Sequence, residues 1–184
     1  VNLEANVDVT GEIDIVITSS AKGIGLYRSE QILNELESFP DEEEQTAIYS
    51  RLASRIYPKF VTIRAFDIGG DKFRFSEYKE PNPFLGLRGI RFLLKKKKLF
   101  RTQIRAVLRA SENKNIKFMI PMISTLDEVW TSKGIIQECK SELKKEKVKF
   151  DNQIKIGIMV EVPSAAVMAK EYAEEIDFIS IGTN

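Results

Sequence analysis

The sequence contains no histidine. That excludes histidine-activated serine or cysteine nucleophiles, histidine-ligated zinc, and a phosphohistidine formed on this chain. A single cysteine leaves no internal disulfide, which speaks against a stapled secreted domain and for a reducing, cytoplasmic setting. No apolar run approaches the roughly 20 residues of a membrane-spanning helix, and no basic head followed by an apolar stretch opens the sequence. Neither a membrane span nor an export signal is expected. Charge of one sign is missing too. The 28 Lys and Arg stand against 27 Asp and Glu, so neither nucleic acid nor an anionic membrane meets an attracting field. Glycine and proline, at 10 and 6, are too few for a low-complexity chain.

What is present is an ordinary globular composition, 43% hydrophobic and 30% charged, over 184 residues. That suffices for one domain with a real core, yet falls short of the roughly 250 residues of a closed eight-stranded α/β barrel. Strand-like and helix-like runs alternate, which favours a parallel sheet wrapped by helices. Strands are expected near Asn2–Val7, Gly23–Tyr27, Val61–Ile68, Phe118–Ile123, Lys155–Val162 and Phe178–Gly182. Asp41 caps a helix that begins with three glutamates and carries Ala47, Ile48, Leu52 and Ile56 at helical spacing, with Pro58 ending the run. Thr125 caps a longer helix whose stripe is Leu126, Val129, Trp130, Ile136, Cys139 and Leu143; Trp130 and Met159 are assigned to the core. Residues 83–110 read as two helices broken at Lys95–Lys98, a run read as a solvated junction in preference to a phosphate patch. Residues 69–83 form a long segment without periodicity, and read as a cover over a charged ligand because they leave the C-terminal end of a strand.

Alternation along the strands sorts side chains to two faces. In the Lys155–Val162 run, Ile156, Ile158 and Val160 share one face, and Gly157, Met159 and Glu161 the other. Val61, Ile63 and Ala65 oppose Thr62, Arg64 and Phe66; Ile179 and Ile181 oppose Ser180, Gly182 and Asn184. Branched apolar residues thus go outward, and Arg64, Glu161 and Asn184 inward near the exit end. Arg28 breaks the rule by sharing parity with Ile24 and Leu26: either it lies past its strand or the register slips by one. Interior arginines are costly without an anion. Arg28 and Arg64 could pair with structural carboxylates such as Glu30 or Asp67, or form a fork for a phosphate or carboxylate ligand. Glu161, a lone strand-end carboxylate, suits Mg²⁺ completed by ligand oxygens and water, or else a salt bridge to one of the arginines. Asn184 could orient the ligand or cap a following helix.

Six motifs occur in the order found in the phosphoenolpyruvate-utilising enzymes. They are Gly23-Ile-Gly-Leu-Tyr-Arg28-Ser-Glu30, Ile63-Arg64-Ala-Phe-Asp67-Ile-Gly-Gly-Asp-Lys72, Asn82-Pro-Phe-Leu-Gly-Leu-Arg88-Gly-Ile-Arg91, Met119-Ile-Pro-Met122, Gly157-Ile-Met-Val-Glu161-Val-Pro-Ser-Ala-Ala166 and Ser180-Ile-Gly-Thr-Asn184. Together they most resemble the enzyme I group of the bacterial sugar phosphotransferase system, from about Leu3 to Asn184. The resemblance implies a parallel (β/α)₈ TIM barrel that binds phosphoenolpyruvate and Mg²⁺ and forms a homodimer. By position, Arg28 and Arg64 match phosphate-binding arginines and Arg88 an arginine beside that site. Glu161 matches a metal ligand and Asn184 a substrate-binding asparagine. The phosphoryl group would pass to a histidine on a separate domain, leaving pyruvate, and from there to the histidine-containing phosphocarrier protein.

Ser29 stands where threonine is common, and Ala65-Phe66 where a small polar residue and leucine are expected. The aspartate expected after Asn184, a further arginine, the cysteine that protonates the enolate and the histidine domain are all absent. The chain is therefore expected to be about the first six βα units of the barrel, inactive alone. Two alternatives stand beside this one: a piece of a pyruvate phosphate dikinase or phosphoenolpyruvate synthase, and a non-catalytic dimerisation module that uses open strand edges.

Overall fold

The computed structural model describes residues 2–8, 10–35, 39–69 and 86–182, with side chains omitted at residues 10, 34 and 35. Its strands are β1 (Ala5–Val7), β2 (Ile24–Arg28), β3 (Val61–Arg64), β4 (Ile116–Ile120), β5 (Lys155–Val160) and β6 (Phe178–Ile181). Its α-helices are α1 (Ile13–Thr18), α2 (Ile32–Glu35), α3 (Glu42–Ile56), α4 (Ile90–Lys95), α5 (Lys97–Ala110), α6 (Leu126–Lys145), α7 (Pro163–Val167) and α8 (Ala169–Ala173). Every pairing is parallel, and the order in the sheet is the order in the chain. A doubly wound sheet reverses direction and opens a crevice at the reversal. This one never reverses, so each βα unit adds to the same edge and the twisted sheet curls as part of a barrel does. Six parallel strands are found among the described residues, the number expected for about six βα units.

Local chemistry fixes the helices. Asp41 accepts the Glu44 N–H at 2.9 Å while the Glu44 carboxylate accepts the Asp41 N–H at 2.9 Å, closing a capping box at the start of α3. Thr125 and Glu128 do the same for α6. The inward stripe of α3 is Gln45, Tyr49, Leu52, Ala53 and Ile56; Ala47 is exposed, because it lies two residues beyond Gln45 and so on the far side of the helix. Lys96 leaves helical geometry and separates α4 from α5, and Lys95–Lys98 are all exposed, as a solvated junction requires. Trp130 is not core: it is 50% exposed, one step of the helix away from buried Val129. No helix among the described residues is long and apolar enough to cross a membrane.

The two sheet faces are packed differently. The large core lies between sheet and helices and contains Val61, Ile63, Ala65, Ile158, Leu52, Ile104, Val107, Val129 and Cys139. Burial pushes the Cys139 thiol up to about 11, so it packs as a small apolar group. The opposite face holds a small separate cluster, Leu26, Met119 and Met159, with Phe178 against it. Alternation therefore holds for β5, where Met159 faces inward and Ile156, Ile158 and Val160 pack outward. It fails after β3. That strand ends at Arg64, and Phe66, expected inward, joins the helix-side core and packs on Phe39. The backbone turns once the ladder ends, and alternation no longer applies.

The anomaly of Arg28 has its explanation in β2. Ala5 and Asn6 of β1 pair with Ile24 and Leu26, and Val61 and Ile63 of β3 pair with Ile24 and Tyr27. Both neighbours thus record one extra residue in β2, a β-bulge between Ile24 and Leu26. Beyond it the parity inverts. Ile24 and Tyr27 join the outer core, Leu26 joins the inner cluster, and Arg28 comes level with Arg64.

Candidate functional site

The charged residues singled out above meet at the C-terminal ends of the strands. Arg28 ends β2, Arg64 ends β3, and Glu161 follows the last residue of β5. Arg88 arrives from further along the chain. Gly69 and Arg88 form an antiparallel bridge, and the Gly89 N–H donates to the Ile68 carbonyl at 3.0 Å. Gly89 has φ +53°, and a Cβ there would lie 2.8 Å from the Met122 side chain and 3.2 Å from Asp67 Oδ1. Only glycine allows this close turn, which sets Arg88 over the end of β3.

A chain of buried charges runs Glu30–Arg64–Asp67–Arg88. The side chains of Glu30, Arg64 and Asp67 are 5%, 6% and 4% exposed, so this interior is almost dry. Arg64 Nη2 is bonded to Glu30 Oε1 and lies 3.5 Å from Asp67 Oδ2. Arg88 grips Asp67 with two hydrogen bonds, Nε to Oδ1 at 3.0 Å and Nη2 to Oδ2 at 2.7 Å. That is the planar fork geometry that guanidinium also offers a phosphate. Arg64 Nη1 lies 3.7 Å from Met159 Sδ, which puts the guanidinium on the inner face. Two buried atoms, Arg64 Nε and Glu30 Oε2, have no hydrogen-bond partner among the described residues. Arg28 is the more accessible arginine, and its Nη1 donates to Asp8 Oδ1 at 2.7 Å. Both strand-end arginines are thus held by carboxylates, and they still converge.

Glu161 behaves differently. Its Oε1 accepts the Met122 N–H at 2.9 Å, and among the described residues it makes no ion pair. The alternative of a salt bridge to an arginine is not what forms. Burial raises its carboxyl above the ordinary carboxylate range; the Met122 N–H opposes that, nearby Asp67 adds to it, and Arg64 and Arg88 oppose it. A side chain at Gly182 would lie 2.9 Å from Glu161 Cβ, so the end of β6 also leaves room for this carboxylate. Among the described residues three guanidiniums face four carboxylates here, counting Asp8, Glu30, Asp67 and Glu161, so with these groups alone an anion needs a cation with it or carboxylates that give way.

Asn184 and the segment 70–83 lie outside the described residues. Sequence reasoning missed Asp8 and the Met122 N–H. Asp8 follows directly on β1, a strand-end position like the others, and that placement was its only signal. A backbone N–H has no signature in composition or spacing.

The family model described as "PEP-utilising enzyme, PEP-binding domain" matches residues 1–184. A phosphoenolpyruvate-protein phosphotransferase of Mycoplasma capricolum subsp. capricolum is 49% identical over 186 residues, covering 99% of this chain and 32% of the relative. Proteins of the same description are 45% identical in Priestia megaterium and 44% identical in Haemophilus influenzae, each over 100% of this chain and 32% of the relative. The chain spans about a third of the length of the curated relatives it matches. Matched along its whole length, with its charged residues gathered at the mouth of a singly wound parallel sheet, this chain belongs to the PEP-utilising enzymes, in their PEP-binding domain.

Proposed function

We infer that this chain is the phosphoenolpyruvate-binding part of a phosphoenolpyruvate–protein phosphotransferase. Arg28 and Arg64 would take the phosphate, Arg88 would stand beside it, and Asn184 would orient the ligand. The observation that carries the reading is the convergence of those three arginines and Glu161 at the ends of neighbouring parallel strands. Guanidinium forks suit a phosphate that is to be transferred, because such catalysis is chiefly positioning and charge neutralisation. The relatives' printed name supports transfer to a protein. In the full reading the acceptor is a histidine on another domain, which then loads the histidine-containing phosphocarrier protein in the cytoplasm and leaves pyruvate. The absence of histidine here is compatible with an acceptor elsewhere. A homodimer belongs to the same reading, and exposed Val167 and Ile181 offer apolar surface for one.

Mg²⁺ fits the residues present in a limited way. The described residues hold no group of three or more His, Cys, Asp or Glu able to cage a metal. Among the described residues Glu161 supplies one carboxylate with no ion-pair partner, in surroundings where negative charge is in excess. That suits an ion that uses one or two carboxylates and completes its shell with ligand oxygens and water. When bound it would offset charge on the phosphate.

Calorimetric titration of the chain with phosphoenolpyruvate, with and without Mg²⁺, tests the reading. The informative variant is Arg28→Ala. Its ion pair with Asp8 is partly exposed, so its removal costs only about 0–1 kcal/mol and leaves the fold intact. Mg²⁺-dependent heat that disappears in Arg28→Ala is the expected result. A folded chain that gives no heat at millimolar ligand refutes it.

A further inference from the structure

The β2–β3 ladder ends at the Arg28–Arg64 pair. A buried side-chain network takes over there. Ser29 Oγ donates to the Arg64 carbonyl at 2.6 Å. Gln103, reaching in from α5, donates from Nε2 to Ser29 Oγ at 2.9 Å and to the Tyr49 hydroxyl at 3.1 Å. Its Oε1 accepts the Phe66 N–H at 3.0 Å. Tyr49 donates onward to Gln45 Oε1 at 3.2 Å, and Gln45 Nε2 donates to the Pro40 carbonyl at 2.9 Å. Ser29, Gln45, Tyr49 and Gln103 are all 0% exposed.

The direction of every bond in this network is determined. The serine and tyrosine hydroxyls each spend their one hydrogen on a carbonyl oxygen, so each must accept from Gln103. Gln103 therefore needs two donors and one acceptor on the same planar group, which a carboxamide has and a carboxylate of the same shape lacks. Fully satisfied buried networks of this kind hold one geometry, because any departure strands a polar group in a dry interior. The atoms held are the side chain next to Arg28, the carbonyl of Arg64 and the N–H two residues after Arg64.

We propose that Gln103 is a positioning residue of the anion site: through Ser29 and the Phe66 N–H its carboxamide sets the spacing of Arg28 and Arg64. It touches no ligand itself. The proposal rests on the phosphoenolpyruvate reading above and adds to it a specific support outside the sheet mouth.

The test is calorimetric titration with phosphoenolpyruvate and Mg²⁺, alongside urea unfolding, on the unsubstituted chain and four variants. Gln103→Glu keeps the shape and reverses the donors; Ser29→Ala removes the link to Arg64. Both are expected to weaken affinity on the order of 10- to 100-fold, the usual loss when a support for a binding group is removed or the group is displaced by about an ångström. Ser29→Thr keeps the hydroxyl and is expected to retain affinity. Tyr49→Phe cuts the other arm of the same network, lowering stability while leaving affinity within about twofold, which a merely structural role would not separate. Wild-type affinity in Ser29→Ala, or an equal loss of affinity in Tyr49→Phe, overturns the proposal. If Gln103→Glu does not fold, the two Ser29 variants decide. An unsubstituted chain that binds no ligand refutes the underlying reading and the proposal with it; binding that is indifferent to Ser29 refutes the proposal alone.

Discussion

Arg64 is expected to be necessary for binding, but for folding only while Glu30 is charged, and a double-mutant cycle with Glu30 separates the two roles. Glu30 Oε1 is bonded to Arg64, and Glu30 Oε2 has no partner among the described residues, so among them Arg64 is what neutralises this carboxylate at 5% exposure. Asp67 is in a different position, because Arg88 holds it at 2.7 and 3.0 Å whatever becomes of Arg64. Arg64→Met keeps the volume and strands one buried charge, a loss of about 3–5 kcal/mol. Glu30→Gln leaves Arg64 with Asp67 at 3.5 Å and costs about 1–3 kcal/mol. Making both changes replaces a buried ion pair with neutral groups, which is close to neutral, within about 1 kcal/mol of the parent. The double variant should therefore be several kcal/mol more stable than the sum of the singles predicts. Urea unfolding at constant slope measures this. The same double variant, though folded, should lose about 100-fold or more in affinity for phosphoenolpyruvate, since charged hydrogen bonds to the ligand contribute about 1.5–3 kcal/mol each. Additive stability costs would refute the pairing as the source of the effect. Undiminished affinity in the folded double variant would remove Arg64 from the site.

Glu161→Gln keeps an oxygen for the Met122 N–H and removes the charge. Because the folded carboxyl titrates above its unfolded value, the stability it contributes is full below the unfolded pKa and is lost as pH rises through the folded one. The glutamine variant escapes that loss: it should resist urea better than the parent at neutral pH, with the difference closing in acid, and its phosphoenolpyruvate binding should no longer respond to Mg²⁺. A variant less stable than the parent at neutral pH would contradict this. Away from the site, Arg105 ties α5 to Glu42 at 2.7 Å on α3, and to Glu142 at 3.2 Å and Glu146 at 2.8 Å at the end of α6. Arg105→Ala should lower unfolding stability by roughly 1–2 kcal/mol in dilute buffer, with the gap shrinking as salt approaches molar concentrations. A gap indifferent to salt would mean that lost packing, not charge, was responsible.

Much of the candidate site is legible in the sequence, because its residues sit where strands stop. Arg64 and Glu161 could be placed by counting alternate residues along runs that turned out regular. Arg28 could not, because counting assumes one residue per rung and the bulge in β2 inserts an extra one. Phe66 and Trp130 were misplaced for a related reason. A period fitted to a strand or helix says nothing about a residue just past the strand's end, or at the margin of a helical stripe. Glu30 and Asp67 were recognisable as carboxylates near the arginines, but which arginine each would hold was open.

The sequence by itself determined the alternation of parallel strands and helices, the caps at Asp41 and Thr125, the break among the lysines, and the arrival of charge at the strand ends. Each of these is encoded in residues close together along the chain, in a period, a cap or a stop. Tertiary structure alone decided that Arg64 is held by Glu30, that Arg88 comes back over Asp67, that Glu161 takes a backbone N–H instead of a cation, and that Gln103 closes the gap beyond the last rung. Those partners are 21 to 74 residues apart in the chain. Burial makes an unpartnered polar group costly, but only the packed fold determines which distant partner comes within reach.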